Sequence, residues 1–374
     1  MKRLIVSLAF LLGGLPVFAS IAATPPTDPS ADATLAKLTD EFLDAYLIAR
    51  PQQASALGLH LYDGKVADLS RPALDAEHGR LVNYEREFAA IDHAALSPDA
   101  RHRCRVIEAG IQDELFAFDG MQSFTHNPMT YAQAVDVNVY LKRDYAPLAD
   151  RLRSIISVEK AIPAVLVAAR ANLVDSLAKP YVELAIEIAN GGADFLAKDL
   201  VTALKDVSDP NLMAEFKTVN DRAIAELHGY AEWLKQEKLP KAHTHYAIGR
   251  EKYQEMLRGG ELIPLAPEKI LELGLKELKR EQAVFAAAAK QIDPTKPAIQ
   301  VFKEIQRDHP TEASLLPDVR KHLEMIRKFV VDHDIVTIPS EVRARTEETP
   351  QFARAGSFAS MDSPGPFETK ATEA

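Results

Sequence analysis

Apolar residues recur at helical spacing along most of the chain, from about Ser30 to His333. Residues three or four positions apart share one face of an α-helix, so this pattern predicts a long series of amphipathic helices. No repeat of fixed period is found, which favours an irregular helical array over a solenoid. The apolar face of the first predicted helix, which Pro51 ends, consists of Leu35, Leu38, Phe42 and Tyr46.

Signals for helix starts and ends divide this helical region. Ser97 and Asp209 are each followed by proline. Such a pair predicts a helix start, because the side chain caps free backbone N–H groups and proline suits the first turn. The two predicted helices run to about Phe118 and Trp233. Glycine pairs predict helix ends. They lie at 191–192 and 259–260, and further helices are predicted over 71–91, 267–292 and 316–333.

The pattern changes after His333, where β-branched and aromatic residues are interrupted by prolines. This composition predicts short strands and loops rather than helix. The predicted fold is therefore mainly α: an irregular multi-helix array with a short β or extended section near the C-terminus. We expect a helical domain over 31–334, followed by the extended section over 335–374.

The N-terminus has the order of features typical of a secretory signal peptide. Two basic residues precede an apolar run over 4–18, and small residues follow it. The run is shorter than the ~20 residues that a membrane-spanning helix needs. The sequence therefore predicts a signal peptide over 1–23, a linker over 24–30 and a periplasmic location, with no membrane contact after removal of the signal. Cleavage is expected after Ala19, Ala22 or Ala23.

The net charge limits which partners the protein can bind, and the cysteine content limits which disulfides and metal sites it can form. The 374 residues include 54 acidic and 44 basic side chains, which gives a formal net charge of −10. A net negative charge argues against binding to nucleic acid or to an anionic membrane through the protein's overall charge, because both of these partners are themselves negatively charged. The single cysteine, Cys104, excludes an internal disulfide and a zinc site built from several cysteines. We expect Cys104, which has His102 nearby, to be an inert core thiol.

Most enzyme signatures are absent from the chain, including GxSxG, GxGxxG and HExxH. The segment 58–65 resembles a phosphate-binding loop but has the wrong spacing. Two SxxK tetrads, at 157–160 and 176–179, are interpreted as solvated helix faces because their companion motifs are missing. His243 and His245 are the only close histidine pair, and no carboxylate at helical spacing completes a site. The sequence therefore predicts no catalytic residue and no metal ligand.

The most distinctive passage is ARAGSFASMDSPGPFE, over 353–368. An irregular apolar strand with small residues, followed by a stiff Pro-Gly-Pro turn, offers free backbone groups to an extended peptide. The alternative is an internal sheet edge covered by the rest of the fold. The candidate substrate-binding residues are Ser357, Ala359, Ser360 and Met361, mainly through their main chain.

Four passages resemble the bacterial family of unknown function numbered 885. They are RPQQASALGLHLYDG, YAIGREKYQEMLR, LAPEKILELGLKEL and EVRARTEETPQFARAGSFASMDSPGPFE, and they extend over nearly the whole mature chain. The resemblance implies an exported helical protein similar to HExxH zinc metallopeptidases. In such enzymes two histidines and a downstream glutamate hold zinc, and a neighbouring glutamate is the general base.

The chain departs from this family in one respect. In relatives the HExxH helix lies downstream of the PGPFE passage, and here that helix is missing. The section 335–374 is accordingly interpreted as the truncated start of a catalytic region. We expect no cofactor in this chain, with zinc only in a full-length relative.

Two hypotheses about function follow. The leading one is the N-terminal part of an exported zinc-metallopeptidase-like protein, inactive alone, whose partners are a peptide substrate or a complementary C-terminal chain. The alternative is a non-enzymatic periplasmic helical module that binds peptides or a partner protein. Whether this chain is an enzyme stays open at this stage.

Overall fold

The computed structural model describes residues 29–134, 136–348, 361 and 363–370. Nearly all regular structure in this part of the chain is helical, so the prediction of a mainly α fold is confirmed. The helices are α1 (Pro29–Ala49), α2 (Pro51–Ala56), α3 (Arg71–Ala89), α4 (Pro98–Asp119), α5 (Ser123–His126), α6 (Met129–Gln133), α7 (Val139–Lys142), α8 (Leu148–Asn172), α9 (Lys179–Phe195), α10 (Val201–Ala203), α11 (Pro210–Trp233), α12 (Arg250–Gly259), α13 (Pro267–Ile292), α14 (Ala298–Ile305) and α15 (Glu312–Asp332). Single 3₁₀ turns occur at His60–Tyr62 and Leu239–Lys241, and single π turns at Leu196–Leu200 and Leu234–Lys238.

The predicted helix starts at α4 and α11 are confirmed. The Ser97 hydroxyl accepts a hydrogen bond from the Ala100 N–H at 3.3 Å. The Asp209 carboxylate accepts from the N–H groups of Asn211 and Leu212, at 3.0 and 3.1 Å. Each cap thus satisfies backbone donors that the first turn leaves without a helical partner.

The predicted helix end at Gly191–Gly192 is wrong, because both glycines lie inside α9. Helix α9 packs closely on α11, and a β-carbon at Gly192 would lie 3.6 Å from Leu227. A glycine inside a helix costs about 1 kcal/mol relative to alanine, which this packing offsets. Helix α12 does end at Gly259, but Gly260 keeps a right-handed conformation there.

The core consists of two clusters of buried apolar side chains. The larger is built mainly from α6, α8, α9 and α11, and the smaller from α1, α3 and α4. Helices α12 to α15 contain few buried residues. Among the residues that the structure describes, these are Leu257, Ala289 and Val301. These four helices, over 250–332, therefore contribute little to the core.

The described residues after α15 form no strand, so the β part of the prediction is not seen there. Residues 341–346 lie beside α15, and the Arg320 side chain donates a hydrogen bond to the Thr346 carbonyl at 2.8 Å. The side chains of Arg327 and Glu341 pair at 2.8 Å, and Arg343 pairs with Glu324 at 2.7 Å. A parallel β-bridge joins Ala178 to His243. Among the described helices, none combines the length and apolarity needed to cross a bilayer.

Glu159 is an unusual member of the larger core. It lies in α8 and is 1% exposed, and neither carboxylate oxygen has a hydrogen-bond partner among the described residues. Burial raises the pKa of this carboxyl to about 8, because the charged form loses hydration that no partner replaces. Glu159 is therefore protonated at neutral pH.

Replacing Glu159 with glutamine should change how stability depends on pH. The pKa of Glu159 is about 8 in the folded chain and 4.5 ordinarily, so the folded state binds more protons between these values. The wild-type free energy of unfolding therefore falls as pH rises from about 4.5 to 8. We expect Glu159→Gln to remove this fall and to stabilise the chain by up to about 4 kcal/mol at pH 8.

Urea unfolding at about pH 5 and pH 8 measures this effect. Glu187→Gln, at an exposed position on α9, is the control and should retain the wild-type pH dependence. An unchanged fall in Glu159→Gln would contradict the assignment of the titrating group.

Candidate functional site

The PGPFE passage, 364–368, is held against the segment between α2 and the 3₁₀ turn. The Phe367 N–H donates a hydrogen bond to the Leu57 carbonyl at 2.9 Å. A β-carbon on Gly365 would lie 2.2 Å from the carbonyl carbon of Leu57, and one on Gly58 would lie 2.4 Å from the Glu368 nitrogen. Gly58 also has a φ of +93°. Two backbones approach so closely here that only glycine fits at these two positions.

A chain of polar contacts extends from this junction. The Glu368 carboxylate lies 2.9 Å from His60 Nε2, and Asp63 lies 3.1 Å from His60 Nδ1. The Tyr145 hydroxyl donates to Asp63 at 2.6 Å. The Glu368 side chain is only 3% exposed. We call His60, Asp63, Tyr145 and Glu368 the docking cluster.

Local structure positions each member of the docking cluster. His60 begins the 3₁₀ turn and Asp63 follows it, so the two side chains meet one turn apart. The Tyr145 ring stacks on His60 with 3.5 Å between ring centroids. Burial, and then Asp63, raise the pKa of Tyr145, which keeps its hydroxyl a donor. The Gly64 N–H donates to the Tyr140 hydroxyl at 2.9 Å, which fixes the end of the segment.

The contacts of the docking cluster hold two segments of the chain together. Both ring nitrogens of His60 face carboxylates, so in this arrangement neither is directed at a nucleophile or a metal. The arrangement therefore binds the C-terminal segment to the helical array. Arg143, 8% exposed, provides a second anchor, because it donates a hydrogen bond to the Ser363 carbonyl at 2.5 Å.

The predicted substrate-binding residues lie just before these anchors. Ser357, Ala359 and Ser360 fall outside the described residues, and Met361 is 70% exposed. Their role in substrate binding stays a prediction. The structure shows where the chain continues: Ser363, two residues after Met361, is held by Arg143.

The docking cluster is not predicted from the sequence, although its segments belong to the distinctive passages RPQQASALGLHLYDG and PGPFE. The His60 to Asp63 spacing was a signal for a local pair, because the residues are three apart. Nothing local connects His60 with Glu368, which are 308 positions apart. The segment 58–65, dismissed as a phosphate loop, is thus a docking surface for this chain's own residues.

The other sequence candidates are engaged elsewhere. Lys160, of the first SxxK tetrad, pairs with Glu215 at 2.6 Å. Ser176, of the second, donates to the Lys241 carbonyl at 2.7 Å. The rings of His243 and His245 lie 6.1 Å apart, and in the described part of the chain they belong to no group of three metal-type ligands.

Among the described residues, one group of three side chains of metal-binding type does occur, and it lies outside the docking cluster. It consists of His93, Cys104 and Glu108. Cys104 is buried, as expected. His102, its neighbour in sequence, instead contacts the Pro98 carbonyl through Nδ1 at 2.7 Å.

The chain belongs to a bacterial family of proteins of unknown function, DUF885, whose pattern it matches over residues 51–373. Both sides of the docking cluster lie within this range. No curated protein sequence matches the chain.

A solved structure supports the fold. It is that of "a putative lipoprotein of unknown function" from Shewanella oneidensis, 22% identical in sequence, with a TM-score of 0.65. The similarity covers 85% of this chain and 61% of that one, so the present chain matches somewhat less than two thirds of that protein's length. At this identity the likeness extends to the fold alone.

Replacing Gly365 with alanine should release the PGPFE passage. The added methyl group would overlap the Leu57 backbone, which cannot move aside without disturbing α2. We expect amide hydrogen exchange within 363–370 to become much faster, while the thermal melt of the helical core changes little. Exchange followed by peptide mass analysis measures this.

Gly274→Ala is the matched control, because Gly274 lies in α13 with no atom within 4 Å of the added carbon. We expect that change to leave exchange over 363–370 unaltered and to favour the helix by up to about 1 kcal/mol. Slow exchange over 363–370 in Gly365→Ala would contradict the docked arrangement.

Proposed function

We propose that this chain is the N-terminal, mostly helical portion of an exported protein similar to zinc metallopeptidases. In that protein, its helices would pack against the catalytic region, and its C-terminal segment would carry the peptide-binding edge at 357–361. Without an HExxH helix, the portion by itself binds no catalytic zinc and hydrolyses no peptide. The proposal rests on the family resemblance together with the two structural features that follow.

The observation that carries the proposal is the uncovered apolar surface of the last helices. Helix α15 has no buried residue among its 21, although its sequence has a clear apolar side. In α13 only Ala289 is buried. The exposed large apolar side chains on these two helices are Leu271, Leu273, Leu275, Leu278, Val284, Phe285, Ile292, Leu315, Leu323, Met325, Ile326, Phe329 and Val331.

So many exposed large apolar side chains on two helices are unusual for the surface of a monomer. Continuous apolar patches above a few hundred Å² commonly mark a place where other protein packs. The occupant that we propose is the C-terminal portion of the full-length protein. In the Shewanella oneidensis structure the similarity covers 61% of the chain, so part of that protein has no counterpart in the present chain.

The docking cluster supports the second half of the proposal. Arg143 and Glu368 hold the chain on either side of the Pro-Gly-Pro turn. A peptide-binding edge needs a fixed backbone, because main-chain hydrogen bonds to an extended peptide depend on register. Anchoring at Ser363 and beyond would supply a fixed point for the chain that follows this edge.

The proposal predicts that the exposed faces of α13 and α15 bind an apolar dye. Leu275→Lys and Met325→Lys replace exposed side chains on these helices and should each reduce dye fluorescence and light scattering. The matched control is Val167→Lys, at an isolated exposed position on α8, which should change neither. None of the three should lower the thermal stability of the core.

Three outcomes would overturn the proposal. One is a monodisperse wild-type protein that binds no dye. Another is saturable peptide binding by such a monomer, which would favour a non-enzymatic binding module. The third is peptidase activity in the purified chain that is lost on chelation.

A further inference from the structure

Three side chains of metal-binding type converge where α3 passes to α4. Cys104 and Glu108 lie one turn apart on α4, so they share a face of the helix. His93 lies in the connection before α4. Its Nε2 atom is 3.6 Å from Cys104 Sγ and 3.1 Å from Glu108 Oε1. We propose that His93, Cys104 and Glu108 form a binding site for a transition-metal dication, best suited to Zn²⁺.

The distances fit a tetrahedral metal centre. Zinc binds imidazole nitrogen at about 2.0–2.1 Å and thiolate sulfur at about 2.3 Å. In a tetrahedron these bond lengths place nitrogen and sulfur about 3.6 Å apart, and nitrogen and oxygen about 3.3 Å apart. The two separations from His93 Nε2, to Cys104 Sγ and to Glu108 Oε1, are close to these values, and all three ligand atoms lie within 4.8 Å of one another.

Two different side chains approach a single nitrogen of His93, and one hydrogen bond accounts for only one of these approaches. One imidazole nitrogen carries at most one proton, which can point well at only one neighbour. Here a carboxylate oxygen and a sulfur both approach His93 Nε2. A cation placed among the three would contact each of them directly.

The site is held in place by its surroundings. Arg101 donates to the carbonyl groups of His93 and Leu96 at 2.9 and 3.0 Å, which fixes the connection that carries His93. Asp32 accepts a hydrogen bond from the Ser97 N–H at 3.0 Å, which secures the same connection to α1. A fixed geometry favours metal binding, because less disorder is lost when the ion enters.

The exposure of the ligands leaves room for a fourth. Cys104 is fully buried, whereas the side chains of His93 and Glu108 are 37% and 25% exposed. Water can therefore complete a site with three protein ligands, as in zinc centres that keep an open position. Thiolate, imidazole and carboxylate together are ligand types that suit Zn²⁺ rather than Mg²⁺ or Ca²⁺.

Metal binding involves a defined proton exchange. Burial raises the pKa of the Cys104 thiol to about 11, so the sulfur is protonated at neutral pH without metal. On binding, the S–H bond breaks, a metal–sulfur bond forms, and the proton passes to solvent. This site, on α4 and the connection before it, shares no residue with the docking cluster and is independent of the proposed function.

The test is a titration of the metal-free chain with Co²⁺ as a spectroscopic substitute for Zn²⁺. We expect one equivalent to bind, with a thiolate-to-cobalt charge-transfer band and release of about one proton at neutral pH. Added Zn²⁺ should abolish the band. Cys104→Ser should lose the band, and His93→Ala and Glu108→Gln should each weaken binding at least about tenfold.

His78→Ala is the matched control, because His78 also joins α3 to α4 through a carboxylate, Asp119, at 3.0 Å, but without a thiol. It should leave the titration unchanged. His93→Ala keeps the buried Cys104, so it tests the site even if Cys104→Ser fails to fold. Absence of Co²⁺ binding by the folded wild type would overturn the proposal. So would binding without the band, or a band that forms in His93→Ala at the same Co²⁺ concentration as in the wild type.

Discussion

The contact on which the arrangement of the functional region depends is the close approach of two backbone segments, at Gly58 and Gly365. It joins α2, near the start of the helical array, to a segment some three hundred residues later. Closing a flexible loop of that length costs about 5 kcal/mol, a cost that grows only slowly with loop length. Much of the intervening chain is already ordered by its own core, which lowers the cost further. The buried Glu368 to His60 contact can therefore stabilise the junction.

The core divides the chain into two unequal parts. Residues from α1 to α11 enclose two buried apolar clusters, whereas α12 to α15 surround almost nothing. Hydrophobic burial contributes about 25 cal/mol per Å² of apolar surface removed from water, so the first part has its own source of stability and the second has little. Helices without a covered apolar face are marginal in water, which is why α13 and α15 suit an interface better than a free surface.

Local structure was largely predictable from sequence, and the site was not. The bounds of α3, α4, α11 and α13 follow from caps, prolines and apolar spacing, which act over a few residues. The glycine pair at 191–192 does not end a helix, because the packing of α9 on α11 outweighs the low helix propensity of glycine. The docking cluster depends on a contact between residues 308 positions apart. No local pattern encodes that contact, although both of its segments stood out as motifs.

The two polar clusters show why a histidine's role depends on how its neighbours approach it. At His60 each ring nitrogen faces its own carboxylate, and the stacked Tyr145 covers the ring. Each ring nitrogen of His60 then has its own partner, and the contacts within the cluster hold the C-terminal segment against the helical array. At His93 two different ligand atoms approach the same nitrogen. One proton on that nitrogen can point well at only one of the two atoms, whereas a cation can be bound by several donor atoms around one point. The same residue types therefore support opposite roles: one histidine holds the chain to itself, and the other is open to an ion.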